Sequence, residues 1–127
     1  MRVEVVIRGR GGPFQWAGTE EARLIHLGVL QALPLYDRRL ALCDIGGGST
    51  ELLVGERGEV LTARSLKLGH LRMTHRFFAE EPVTKAAVKA CRRHVRSTLA
   101  PFAREVRSLA PEVLVGSSGT IEALVEM

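Results

Sequence analysis

The sequence predicts one α/β or α+β domain arranged as a single set of packed layers. Three observations lead there. Short apolar runs that read as strands are interspersed with stretches of helical periodicity. Two of those runs end in glycine-rich loops. The 127 residues, 46% of them hydrophobic, suffice for one core that buries roughly two-thirds of the unfolded chain's surface without a disulfide or metal staple.

Val3 to Ile7 is a β-branched run, but the Gly9, Gly11, Gly12, Pro13 cluster behind it halts any regular element, so residues 1–17 are expected to form an irregular segment with a loop over 9–17. Thr19 is placed to cap a helix. Glu20 and Glu21 fall in its first turn, favourable at the positive end of the helix dipole, and Ala22, Ile25, Val29 and Leu33 share one face until Pro34 ends it. Leu40 to Ile45 reads as a buried strand entering Gly46, Gly47 and Gly48. Glu51–Val54 and Val60–Leu68 read as two more, with Gly55 and Gly58 bracketing a hairpin turn. After Gly69 a helical pattern covers Leu71–Phe78, and Pro82 stops it. Thr84 then caps the longest helix, whose apolar positions Val88, Cys91, Val95, Leu99, Phe102, Val106 and Leu109 recur at steps of three or four. Pro101 lies within that pattern and predicts a kink or break, because it removes a hydrogen bond and crowds the Ser97 carbonyl. After Pro111, a last strand, Val113–Val115, runs into Gly116, Ser117, Ser118, Gly119, Thr120 and a short helix. The two glycine loops can cooperate only if their strands are neighbours. Strands 40–45, 51–54, 60–68 and 113–115 are therefore expected in one sheet, the first three antiparallel, the last beside the first, with helices over one face.

Composition narrows the functional classes. The longest apolar stretch, Leu27–Leu35, is interrupted by Gln31 and Pro34 and falls far short of the ~20 residues of a membrane span. The apolar run after Arg2 and Glu4 is too short for a signal-peptide core, which points to a cytoplasmic location. Aromatic residues are only 5%, with single Trp16 and Tyr36, which argues against stacking on single-stranded nucleic acid. Cys43 and Cys91 sit in apolar stretches and read as reduced core residues. The net charge of +4 is uneven, since residues 67–108 hold ten basic and three acidic side chains. Such a stretch suits an acidic partner or is simply a solvated helix face; Lys85, Lys89, Arg92, Arg93 and Arg96 lie on or beside one flank. His26, His70, His75 and His94 share no metal-ligand spacing, and Ser49, Ser117 and Ser118 lack a nucleophile elbow.

The informative segment is Asp44-Ile45-Gly46-Gly47-Gly48-Ser49-Thr50-Glu51. Consecutive glycines allow positive φ and remove every Cβ, so backbone N–H groups can converge on phosphate oxygens. Ser49 and Thr50 add hydroxyl donors. Asp44 can hold a hydrated Mg²⁺, which takes one or two carboxylates plus substrate phosphates, and Glu51 can orient a water or the metal. The same glycines also suit an ordinary hairpin turn, and the spacing leaves that alternative open. Gly116, Ser117, Ser118, Gly119 and Thr120 precede a helix whose N–H groups also favour an anion, without the lysine of a Walker loop or the dinucleotide fingerprint. Arg72 is either a phosphate ligand or a surface arginine.

Taken together, Leu42–Leu53, the preceding Glu20-Glu21-Ala22-Arg23-Leu24, the following Leu68-Gly69-His70-Leu71-Arg72 and Gly116–Ile121 resemble the exopolyphosphatase and guanosine pentaphosphate phosphatase (Ppx/GppA) family in order and spacing. The resemblance covers residues 18–127. It implies a ribonuclease H-like, actin-like ATPase half-domain: an incomplete mixed sheet with flanking helices, acting as a phosphate-binding lobe. It implies Mg²⁺-dependent hydrolysis of the terminal phosphoanhydride of polyphosphate or guanosine pentaphosphate, with Gly46–Thr50 as the second phosphate loop and Gly116–Thr120 as a later one; the residues themselves, not the resemblance, put Asp44 and Glu51 at the metal and make Glu51 the catalytic candidate. Family members are at least twice as long, begin with an Asp-x-Gly-Ser loop and carry an upstream catalytic glutamate, neither of which has a match here, so the chain is expected to be the central portion of such an enzyme and nearly inactive alone. A non-catalytic phosphate or nucleotide module is the rival reading. A homodimer is a further partner to test, and nucleic acid is disfavoured.

Overall fold

The computed structural model describes residues 2–6, 18–125 and 127. Strand β1 (Arg2–Val6) leads to helix α1 (Gly18–Ala32), strands β2 (Leu40–Ile45), β3 (Thr50–Glu56) and β4 (Glu59–Leu66), helices α2 (His70–Phe77) and α3 (Lys85–Leu109), strand β5 (Val113–Ser117) and helix α4 (Gly119–Val125). The five strands form one mixed sheet in the order β1-β5-β2-β3-β4, with β1, β5 and β2 parallel and β2, β3 and β4 antiparallel. The expected β5–β2 neighbourhood and the antiparallel meander are both present.

Four expectations are corrected. The N-terminal segment expected to be irregular contributes β1 at the sheet edge, consistent with its β-branched run, while the loop expected over 9–17 lies outside the described residues. Helix α1 begins at Gly18, so Thr19 sits in its first turn rather than capping it. Helix α3 runs unbroken through Pro101, an exposed position where water can reach the freed Ser97 carbonyl. Helices occupy both faces of the sheet. Ile25 and Val29 of α1 pack with Leu40, Leu42, Leu53, Val113 and Val115 on one face, while Glu105 of α3 bonds Thr62 and Arg64, whose strand partners Val54 and Leu52 belong to the other. The consecutive residues Leu52, Leu53 and Val54 are accordingly all buried, the pattern of a strand covered on both sides.

The β3–β4 connection is a two-residue turn, Arg57 (φ 52°) and Gly58 (φ 82°), both left-handed as a type I′ hairpin requires. One residue further along, the ladder slips. Gly55 pairs with Val60 but Val54 with Thr62, so Leu61 is an extra, exposed residue of a β-bulge.

His26 of α1 is fully buried, neither ring nitrogen has a partner, and it lies on Gly55, where an added Cβ would come within 2.4 Å of the ring. Burial lowers its pKa from 6.5 by disfavouring the charged form. The unfolded chain therefore binds this proton at a higher pH than the folded one, and stability should fall as pH drops below about 6.5. Urea midpoints measured from pH 8 to 5 test this. His26→Leu should flatten the decline, and an unchanged slope would assign it to other groups.

Candidate functional site

The ends of β2 and β5 from which the glycine loops depart lie side by side, an edge where α/β sheets commonly form ligand crevices. In register across the sheet, Asp44 of β2 opposes Glu51 of β3 and Ser117 of β5, and Glu51 opposes Ser65 of β4. Opposed residues share a face, so Ser117, Asp44, Glu51 and Ser65 make one polar row. It lies on the α1 side, just beyond the apolar rows containing Leu42, Leu53 and Val115.

Glu51 is buried, and its Oε1 accepts hydrogen bonds from the Ser49 hydroxyl (2.7 Å) and the Ser65 hydroxyl (2.8 Å). Neither Asp44 nor Glu51 forms an ion pair among the described residues. Two adjacent carboxylates without a protein cation fit a divalent ion. No group of three or more His, Cys, Asp or Glu side chains converges among the described residues, so water and phosphate oxygens would complete the shell, as Mg²⁺ prefers. Burial, followed by the Asp44 and Glu51 charges, pushes the neighbouring Cys43 thiol up to about 11. Cys43 is therefore a protonated thiol at neutral pH, and both cysteines are free.

The Gly46–Thr50 loop is closed by the Gly46 N–H donating to the Ser49 carbonyl at 2.9 Å. None of Gly46, Gly47 and Gly48 has a positive φ, so the expectation that they serve φ freedom is corrected. Close approach is the reason for Gly69. Its Cβ would sit 2.2 Å from the Gly47 oxygen and 2.3 Å from the Gly48 nitrogen. That contact brings the start of α2 onto the loop, where the His70 N–H donates to the Gly46 carbonyl (2.9 Å) and the Arg72 N–H to the Gly47 carbonyl (3.2 Å). The Arg72 guanidinium Nε donates to the Gly48 carbonyl at 2.9 Å, which holds its charge against the loop. Gly48 and Gly119 have open or ordinary surroundings and no positive φ. Nothing among the described residues demands a glycine at either.

The second loop meets the first through the Ser118 hydroxyl, which donates to the Ile45 carbonyl at 2.9 Å. Ser118, Gly119 and Thr120 line an open cleft of about 610 Å³ with Ile45, Gly46 and His70. Gly116 and Ser117 lie beneath it: Gly116 leaves room for Ile121 of α4, 2.5 Å from a Cβ there, and the buried Ser117 hydroxyl has no partner. A second cleft, of about 560 Å³, is bounded by Gly47, Gly48, Leu71, Arg72, His75 and Arg76.

Ser65 escaped the sequence reading. Continuing the hairpin from the Glu56–Glu59 and Gly55–Val60 pairs would put Arg64 opposite Glu51, and only the Leu61 bulge substitutes Ser65 and sends Arg64 to Glu105. A guanidinium directly opposite would occupy the carboxylate that a metal or water needs.

Comparison with known proteins supplies the context. The model of the Ppx/GppA phosphatase family matches residues 16–127. The chain is similar to a crystal structure of an exopolyphosphatase from Cytophaga hutchinsonii, with 34% identity over 87% of this chain and 35% of that one at a TM-score of 0.76. It is also similar to an exopolyphosphatase-like protein, with 30% identity over 84% of this chain and 34% of that one (TM-score 0.74). A third similar structure is the type II variant of the Aquifex aeolicus Ppx/GppA phosphatase, with 29% identity over 80% of this chain and 32% of that one (TM-score 0.64). The chain thus spans about a third of the length of these proteins. No helix of the described residues is long and apolar enough to cross a membrane.

Proposed function

The chain belongs to the Ppx/GppA phosphatase family, and from that premise we propose that it is the phosphate-binding lobe of a phosphoanhydride hydrolase acting on the terminal phosphate of polyphosphate or guanosine pentaphosphate. One observation carries the reading: two opposed carboxylates, Asp44 and Glu51, without an ion pair among the described residues, flank the first glycine loop, beside which the second loop is held by the Ser118 hydroxyl on the Ile45 carbonyl. The amides of Gly47–Thr50 and Ser118–Thr120, with the Arg72 guanidinium, receive phosphate oxygens, while the Gly46 N–H is held by the Ser49 carbonyl. Gly48 and Gly119 keep the approach clear of side chains. Mg²⁺ held by Asp44 and Glu51 would offset charge on the phosphoanhydride. Glu51, held through Oε1 by Ser49 and Ser65, accepts a proton from the attacking water or orients it. Catalysis of this class is chiefly positioning and charge neutralisation.

Calorimetric titration of tripolyphosphate with and without Mg²⁺ tests the reading. Binding should require Mg²⁺. Asp44→Asn should weaken metal affinity by about 10- to 100-fold, the effect usual for a carboxylate that positions a metal's surroundings. Arg72→Ala, which removes an exposed guanidinium, should weaken anion binding by less than about fivefold. Equal losses, or no binding by the parent chain, would sink the reading. Phosphate release from long-chain polyphosphate separates the hydrolase from a non-catalytic binding module. The chain alone should release phosphate at close to the background rate, and release should rise when a lobe carrying the family's Asp-x-Gly-Ser loop is added.

A further inference from the structure

The amino-terminal half of α3 carries a feature that the glycine loops leave unexplained. Lys85, Lys89, Arg92, Arg93 and Arg96 line one groove of about 670 Å³ along the helix. Lys85, Lys89, Arg92 and Arg96 recur at i, i+4, i+7 and i+11, a single file roughly 16 Å long at 1.5 Å per residue. Residues 82–104 contain no Asp or Glu. Every neighbouring pair in the file is like-charged and repulsive on a helix surface, and Lys85 opposes the positive end of the dipole. Five arginines elsewhere are paired with carboxylates: Arg23 with Glu20, Arg38 with Glu112, Arg39 with Glu56, Arg57 with Asp37 and Arg64 with Glu105. No described carboxylate pairs with any of the five. This helix therefore forgoes the alternating charges that would stabilise it, and an external anion is the compensating partner its surface suits.

We propose that the α3 stripe is a second polyanion-binding surface, separate from the glycine loops, that holds the distal part of a linear inorganic polyphosphate chain. The choice of polyphosphate rests on the function proposed above; the existence of the stripe does not. The groove contains no aromatic ring on which a base can stack and no amide side chain to read one, so an anion without bases is favoured over nucleic acid. The stripe and the loops are separate surfaces: Arg76, one turn after Arg72, lies 3.3 Å from His94 Nε2, and His94, two residues from both Arg92 and Arg96, is on the opposite side of α3 from the file.

The test compares the parent chain with the combined Lys89→Gln, Arg92→Gln, Arg96→Gln variant, which removes charge while keeping an unbranched polar side chain and the helix propensity. Circular dichroism confirms that both are folded. Fluorescence-detected binding of long-chain polyphosphate should weaken at least tenfold in the variant. The slope of log affinity on log salt should become shallower by roughly 2, at about 0.7 per lost contact with a single-stranded polyanion. Mg²⁺-dependent tripolyphosphate binding should be unchanged. Unaltered long-chain affinity and slope would overturn the inference, as would an oligo-dT strand that the parent binds as tightly as polyphosphate of equal charge. Loss of long-chain binding in the variant, with a parent that ignores tripolyphosphate, would sustain the stripe and refute the glycine-loop reading.

Discussion

Gly69→Ala is expected to lower stability and abolish Mg²⁺-dependent tripolyphosphate binding together. The backbone at Gly69 (φ −63°, ψ 152°) is open to any residue, so no conformational penalty arises. The new methyl carbon would instead fall 2.2 Å from the Gly47 oxygen and 2.3 Å from both the Gly47 carbon and the Gly48 nitrogen. These are backbone atoms of the loop proposed to hold phosphate, and they can yield only by moving the loop or the start of α2. Overpacking of this kind costs about 1–3 kcal/mol, or roughly 3–12 °C in Tm for a domain of this size. Displacement also breaks the His70 and Arg72 N–H bonds to the Gly46 and Gly47 carbonyls. Gly48→Ala is the matched control: its Cβ would meet only Arg72 Nη2, at 3.9 Å. That variant should keep its Tm yet bind tripolyphosphate more weakly, because the methyl stands where the ligand approaches. Differential scanning calorimetry and titration of both variants decide the matter. A Gly69→Ala protein with parental Tm and affinity would show that the loop does not depend on this contact.

Gly55→Ala is expected to destabilise the domain by a similar ~1–3 kcal/mol for a different reason. Its Cβ would lie 2.4–2.9 Å from three atoms of the His26 ring, and that ring is fully buried. His26→Ala alone opens a cavity. In the double variant the methyl introduced by Gly55→Ala occupies part of that space, so the combined loss should be smaller than the sum of the single losses, with a coupling of about 0.5–3 kcal/mol typical of residues in direct contact. Urea denaturation of the four proteins measures the cycle. Additive losses would mean that the strand and helix relax apart and that the packing is looser than the contact implies.

Much of the architecture was legible because it depends on local signals. The apolar runs at 40–45 and 113–115 each end in glycines, and the Arg57-Gly58 turn admits only a tight hairpin. The apolar steps of three and four across 88–109 describe a helix whatever surrounds it. The order of these signals, with the acids at either end of Gly46–Thr50, was enough to suggest both the mixed α/β sheet and the family. What those signals lack is register and proximity. Periodicity tells that Leu52 and Val54 are strand residues but is silent on the helix that covers them.

The sequence by itself determined the elements other than β1, the two glycine loops and the carboxylates beside them, since each follows from residue type and spacing along the chain. The tertiary structure alone decided how those parts meet. One extra residue, Leu61, slips the β3–β4 ladder and reverses which side chains face the site, because side chains alternate faces at every step. Glu51 therefore receives the Ser65 hydroxyl at 2.8 Å, and Arg64 turns to Glu105. The glycines divide in the same way: Gly58 serves its own φ, whereas Gly55, Gly69 and Gly116 exist for His26, Gly47 and Ile121, partners distant along the chain or on the next helix. A residue's need to be small is a property of what lies opposite, and only the folded chain puts anything there.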